Sequence, residues 1–236
     1  MATPSRRQIV AQLRSELRHW ENVRGSERSP VLSTGWADLD KLLPGNGLRR
    51  GCLVEWLAAD PGSGAGTLAL AAAREAGRDG GPMVVVESRG EFYPPAAALA
   101  GIELSQLIVV RVRSAQDEIW AVDQALRCPA VGSVVCWTDR FDQRGRRRWQ
   151  LSAEAGAGLG LLVCPERVRH QACWAEVRLL VEPLVSGQGR RLRVEVLRCR
   201  GAAAGRIVEL EQDHETSALP TLVSTAVPAA RRRSGT

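Results

Sequence analysis

Lysine is almost missing from this chain. Lys41 is the only one, so nearly all of the 32 basic residues are arginine. An arginine bias of this kind is common under GC-rich coding, so the net charge of +6 and the pI near 9.5 do not by themselves point to DNA, although a nucleic acid or an acidic protein surface suits them. Aromatic residues are scarce at 4%, and most of them are tryptophan, which leaves the core to Val, Leu and Ala. None of the six cysteines forms a C-x-x-C pair, which argues against a zinc site; several lie in apolar runs and read as buried, reduced thiols. No apolar run reaches the ~20 residues of a membrane span, and no signal peptide precedes the first predicted helix. No membrane association and a cytoplasmic location are therefore expected.

What is present is a globular composition, 44% hydrophobic and 25% charged over 236 residues, enough for one sizeable α/β domain with short appendages. Residues 5–23 predict an amphipathic helix with Ile9, Leu13, Leu17 and Trp20 on one face. Residues 25–30 form a polar linker, so residues 1–24 stand apart and need a surface to cover the apolar stripe, either their own domain or another protein. From residue 31 to 213 strands and helices alternate, which predicts a mostly parallel sheet with helices on both faces. Ser114-Ala115-Gln116-Asp117 reads as a helix N-cap. Three strands after residue 173, near 177–181, 192–197 and 207–210, read as an antiparallel meander at the sheet edge. Residues 214–236 carry no periodicity and end in the basic Arg231-Arg232-Arg233, which predicts a disordered tail.

A buried strand at 52–57, a glycine-rich loop and a helix predicted from Thr67 make the arrangement that cradles phosphate on backbone N–H groups and the helix dipole. A working loop ends in Gly-Lys-[Ser/Thr]. Here it reads Gly62-Ser63-Gly64-Ala65-Gly66-Thr67, with Ala65 at the lysine and Gly66 at the metal-binding hydroxyl, unless Thr67 serves after a one-residue shift. Removing a fixed cation from the site of charge transfer costs ~3 kcal/mol or more of transition-state stabilisation. Arg74 and Arg78, further along the helix, give no reason to expect rescue. No catalytic residue, metal ligand or required cofactor is assigned; weak nucleotide or anion binding stays open beside a purely structural turn.

The run Leu32-Ser33-Thr34-Gly35, Leu39-Asp40, Gly47-Leu48 and Gly51-Cys52-Leu53-Val54-Glu55 resembles the segment that leads into the RecA ATPase core, and the resemblance continues to about residue 210. More closely, residues 117–126, 146–156 and 197–201 resemble the ImuA family, RecA-like accessory proteins of bacterial mutagenic translesion DNA synthesis. The resemblance implies a RecA-like core and three partners: an ImuB-type Y-family polymerase homologue, a damage-tolerant C-family DNA polymerase, and RecA itself. It also exposes departures. Arg89 stands where RecA enzymes carry a catalytic glutamate, with Glu87 and Glu91 beside it. The magnesium-associated acid should end the 131–137 strand, but Asp139 comes late. A non-catalytic adaptor is expected, with Ile9, Leu13, Leu17 and Trp20 as its partner-binding face.

Two basic clusters are candidates for contact with DNA or an acidic partner. Arg144, Arg146, Arg147, Arg148 and Trp149 fall in the region that the RecA resemblance assigns to single-stranded DNA. Arg198 and Arg200, joined by Arg206, lie on the meander. Two other readings compete with the adaptor: a DNA-dependent ATPase of the RecA class, and a stand-alone single-stranded DNA-binding module.

Overall fold

The computed structural model describes residues 30–90, 92–139, 142–184, 190–212 and 225–227. The predicted helix bearing Ile9, Leu13, Leu17 and Trp20 lies outside the described residues.

Val31–Leu32 (β1) and Leu48–Arg49 (β2) pair antiparallel, with the short helix Ala37–Asp40 (α1) between them. Buried Asp40 organises this turn. Its carboxylate accepts from Ser33 Oγ at 2.6 Å, Thr34 Oγ1 at 2.6 Å and Thr34 N at 2.8 Å. The Ser-Thr-Gly and Leu-Asp motif is therefore a structural device, a buried acid with both carboxylate oxygens hydrogen-bonded, while the neighbouring Leu39 is sealed into the core.

The main sheet contains Leu53–Ala58 (β3), Met83–Glu87 (β4), Leu107–Arg111 (β5), Ser133–Trp137 (β6), Leu159–Pro165 (β7), Val177–Leu184 (β8), Arg190–Cys199 (β9), Arg206–Gln212 (β10) and Thr225–Val227 (β11). Their spatial order is β11-β10-β9-β8-β3-β7-β6-β4-β5. All pairings from β8 to β5 are parallel, and those from β8 to β11 antiparallel. The expected antiparallel meander forms from β8, β9 and β10, and its first strand, β8, joins the rest of the sheet parallel to β3. Across that pairing Glu55 of β3 sits opposite Arg178 of β8, and the two form a buried ion pair. Residues 225–227, within the expected tail, pair with β10 as β11, and the rest of that tail, 214–224 and 228–236, lies outside the described residues.

Helices cover both faces because alternate strand residues are apolar in both directions. Met83, Val85 and Val135 meet Ala69, Ala72 and Ala76 of Ala65–Gly80 (α2). Small side chains there let helix and sheet approach closely, and Ser133 Oγ bonds the Ala73 carbonyl at 3.2 Å. Pro94–Leu99 (α3) adds Ala97 to the same side. On the opposite face Val84, Val86, Val134 and Cys136 meet Val122 and Leu126 of Ala115–Arg127 (α4) and Trp149 and Ala153 of Gln143–Gly156 (α5). The expected cap forms: Ser114 Oγ accepts from Asp117 N at 3.1 Å, with Asp117 and Glu118 in the first turn where the helix dipole favours acid.

Cys52, Cys136, Cys164 and Cys199 are buried, Cys173 is half-buried and Cys128 is exposed. Burial pushes the Cys164 and Cys173 thiols up to about 11.

The crossing of α4 and α5 depends on Gly156. A Cβ at that position would lie 2.1 Å from the Leu126 carbonyl oxygen and 2.9 Å from the Arg127 carbonyl carbon, both backbone atoms that cannot rotate away. Gly156→Ala should therefore lower stability by about 1–3 kcal/mol through overpacking, read as a lower urea midpoint with an unchanged denaturant slope.

Candidate functional site

β3 ends at Ala58 and α2 begins at Ala65, two residues before the expected Thr67. The loop between them turns through Gly62 (φ 80°) and Gly64 (φ 100°), left-handed conformations that glycine adopts without strain. Leu192 of β9 presses on Gly64, where a Cβ would be 2.8 Å from Leu192 Cδ1, and Arg190 donates to the Gly62 carbonyl. Ala65 is buried, at 1% exposure. Ser63 is also buried, and its Oγ has no partner among the described residues. This loop, with the N-terminus of α2, is where an anion could be held.

The loop opens on a cleft of about 1340 Å³ above the carboxyl ends of β3, β4, β6 and β7. Trp137, which ends β6, fills the space beside the loop. A Cβ on Gly66 would lie 3.1 Å from its indole nitrogen, and Phe92 sits 6.0 Å away, ring centre to ring centre. A glycine at the hydroxyl position and a tryptophan at the strand end thus fit each other sterically. Asp139 lies beyond Trp137 and carries two cations, Arg89 at 2.8 Å and Arg167 at 3.7 Å. Arg89, at the catalytic-glutamate position, serves as a counter-ion. Glu87 is buried and accepts from Phe92 N at 3.2 Å and Arg111 Nε at 3.1 Å; Glu91 lies outside the described residues. Arg74 bonds the Ala100 carbonyl and Glu75, and Arg78 pairs with Glu75. Among the described residues no three His, Cys, Asp or Glu side chains converge as a metal set, and no helix is long and apolar enough to cross a membrane.

The basic candidates separate into buried and exposed sets. Arg146, expected to contact DNA or an acidic partner, is 1% exposed and pairs with the fully buried Glu55. Trp149, expected as a stacking residue, is also buried and donates its indole N–H to the Ile119 carbonyl at 3.0 Å. Both corrections have one cause. Helical spacing turns positions 146, 149 and 153 of α5 toward the sheet, while 144, 147 and 148 turn outward. Arg144, Arg147 and Arg148 are exposed, and Arg148 reaches Asp123 at 2.5 Å. Arg206 donates to the Lys41 and Leu42 carbonyls and leaves the second cluster. Arg198 and Arg200 remain exposed.

Sequence reasoning missed Trp174, Arg178 and Arg190. Trp174 is partly exposed, and the Arg147 guanidinium lies 4.4 Å from its ring centre. Arg198 donates to the adjacent Cys173 carbonyl. The helix cluster and the strand cluster therefore meet around one tryptophan. Position 174 falls in a segment without periodicity, so no pattern marked it. Arg178 looked like an ordinary strand residue but is buried, its guanidinium 2.6–2.7 Å from Glu55.

No family model matches the chain. It is 29% identical to "Protein ImuA" of Caulobacter vibrioides over 199 residues, covering 75% of this chain and 82% of the relative. It is 34% identical to "Protein RecA" of Chlorobaculum tepidum over 105 residues, 44% of this chain and 30% of the relative. Among solved structures, the RadB recombinase superposes with a TM-score of 0.62 at 17% identity, over 76% of this chain and 95% of that one. The fold is RecA-like.

Arg146→Met should destabilise the protein by about 3–5 kcal/mol, because the buried Glu55 carboxyl then loses one of its two arginine partners. Arg144→Ala should shift the urea midpoint little, so the two variants separate a core arginine from a surface one. A pH effect should come from Asp123. Burial pushes its carboxyl up, but hydrogen bonds from Arg148 and Ser152 and the nearby charges hold it below the ordinary value. Its contribution is present above the unfolded-state pKa of about 3.9 and fades as pH falls through the lower folded value. Asp123→Asn should reduce that acid dependence, measured by urea unfolding at neutral and acid pH.

Proposed function

We propose that this RecA-like homologue of Protein ImuA is a non-hydrolysing accessory protein of a bacterial mutagenic translesion synthesis complex, working in the cytoplasm. The observation that carries the reading is the mutual fit of Gly66 and Trp137. A threonine at 66 would have to displace an indole, and a metal-binding acid at the end of β6 would leave the space that the indole fills. Beside it, Asp139 is neutralised by Arg89 and Arg167. An acid that holds two guanidinium groups is a poor ligand for magnesium, which prefers oxygen donors and its own water. Ala65 supplies no charge to a transferring phosphoryl group. The scaffold's remaining role is to present surfaces.

The partners follow from the likeness to ImuA: an ImuB-type Y-family polymerase homologue, a damage-tolerant C-family polymerase and RecA. The helix predicted over residues 5–23 offers them an apolar stripe of Ile9, Leu13, Leu17 and Trp20. A helix-in-groove contact of this kind buries i, i+4 anchors in a partner.

Phosphate release from ATP by the purified protein should be at least about 100-fold below that of a RecA-class ATPase, with or without single-stranded DNA. Ala65→Lys alone should not restore it, since Gly66, Trp137 and Asp139 remain. Robust turnover by the unaltered protein would defeat this reading. In pull-downs the full chain should retain the ImuB-type homologue, and deletion of residues 1–24 should abolish retention while leaving the unfolding temperature nearly unchanged.

A further inference from the structure

We propose that the outer groove between α4 and α5 docks an acidic amphipathic helix of a partner protein, with Trp120 and Leu151 as apolar anchors and Arg127, Arg144 and Arg148 as the cations that select it. These residues belong neither to the cleft nor to the predicted helix over residues 5–23, and the proposal rests on neither.

The two helices run side by side in the same direction. The Trp149 indole N–H reaches the Ile119 carbonyl at 3.0 Å, and Ser152 Oγ and an Arg148 guanidinium nitrogen both reach Asp123 at 2.5 Å. Further along, Gly156 lies against the Leu126 carbonyl. Helices in such contact leave a groove between their outward rows, and a third helix can seat its own ridge there. Helical spacing sets those rows. Trp120, Gln124 and Arg127 stand at i, i+4 and i+7 on α4, and Arg144, Arg148 and Leu151 stand at i, i+4 and i+7 on α5. All six are exposed, and neither row contains an acid. The exposed acids of these helices, Asp117 and Glu154, fall outside the rows. Asp123 makes the groove rigid, because one buried carboxylate takes Arg127 from its own helix and Arg148 from the other. Little ordering entropy would then be lost on binding.

The chemistry of the displayed groups favours an occupant that is both apolar and acidic. Trp120 is 62% exposed and Leu151 51% exposed. A single exposed leucine is ordinary, but tryptophan and arginine together, without Lys, Glu or Asp, are the composition of an interface core. Arg127 and Arg148 share the single carboxylate of Asp123, and each keeps more than half of its side chain exposed. Among the described residues no carboxylate pairs with Arg144. Three cations over one buried anion leave the groove positive. A partner helix with apolar residues on one stripe and Glu or Asp beside it complements both features. A nucleic acid would satisfy the cations but not Leu151, and an uncharged helix would satisfy the anchors but not the cations.

The test is fluorescence anisotropy of a labelled synthetic peptide with the full-length protein across a salt series. The peptide carries leucine at i, i+3, i+4 and i+7 and glutamate between. Trp120→Ala and Leu151→Asp should each weaken binding about tenfold. Trp120→Phe should keep most of the affinity, and Arg144→Glu should weaken binding and flatten its salt dependence. Arg78→Ala, on α2 at the opposite face of the sheet, should change nothing. A peptide of the same composition with its leucines scattered around the helix should bind at least about tenfold more weakly. Unfolding temperatures check each fold; if Trp120→Ala unfolds, Leu151→Asp and Arg144→Glu carry the test. The proposal is overturned by absence of binding, by equal affinity for the scattered peptide, or by affinity unchanged in the groove variants. It is also overturned if oligodeoxythymidine displaces the labelled peptide better than the unlabelled peptide does, which would make the groove a nucleic-acid surface.

Discussion

A carboxylate sits in the middle of the sheet with no access to water, and much of the structure is arranged around it. Glu55 projects from the central strand β3 into the layer beneath α5. Left alone, a buried charge would cost several kcal/mol. Two arginines and a thiol meet it: Arg146 from α5, Arg178 from the neighbouring strand β8, and Cys173 from the loop before that strand. Satisfying one acid therefore ties together α5, β8 and the loop of residues 169–174. Arg178 Nη1 then donates to two carbonyls of that loop. The cleft and the basic outer face are two sides of this arrangement, because Cys164 and His170 border the first while Trp174 faces the second.

The cleft combines a strand-loop-helix backbone of the kind that can cradle an anion with side chains that are engaged with one another. The strand-loop-helix geometry, the left-handed glycines and the helix N-terminus all remain. What differs is local and mutually consistent. Glycine at 66 makes room for Trp137, and Arg89 gives Asp139 a partner. Leu192 and Arg190 arrive from β9 to close over the loop. Each change relieves a steric or electrostatic problem that another would otherwise pose.

The basic residues behave differently because a guanidinium has two common fates. It can be sealed against a carboxylate, where planar bidentate geometry offsets lost hydration, or it can stay in water. Arg146 took the first course and Arg147 and Arg144 the second, although all three lie on one helix turn. The same division separates Trp149, buried on the inner face, from Trp174, displayed on a loop.

Much of this molecule was written in its sequence. Alternating apolar runs defined the strands from β3 to β7, the Ser114 cap marked the start of α4, and the glycine-rich loop announced its own geometry. Those features are local, set by backbone conformation and hydrophobic period over a few residues. Ala65 and Gly66 likewise declared what the loop lacks. Tertiary structure alone decided which arginine meets Glu55, since residues 55, 146 and 178 are joined only when three elements pack. It alone decided that β8 runs parallel to β3, that Trp137 fills the space at Gly66, and that Arg147 and Arg198 converge on Trp174. Charge neutralisation and close packing act through space, and a one-dimensional pattern records which groups are available but not which of them will meet.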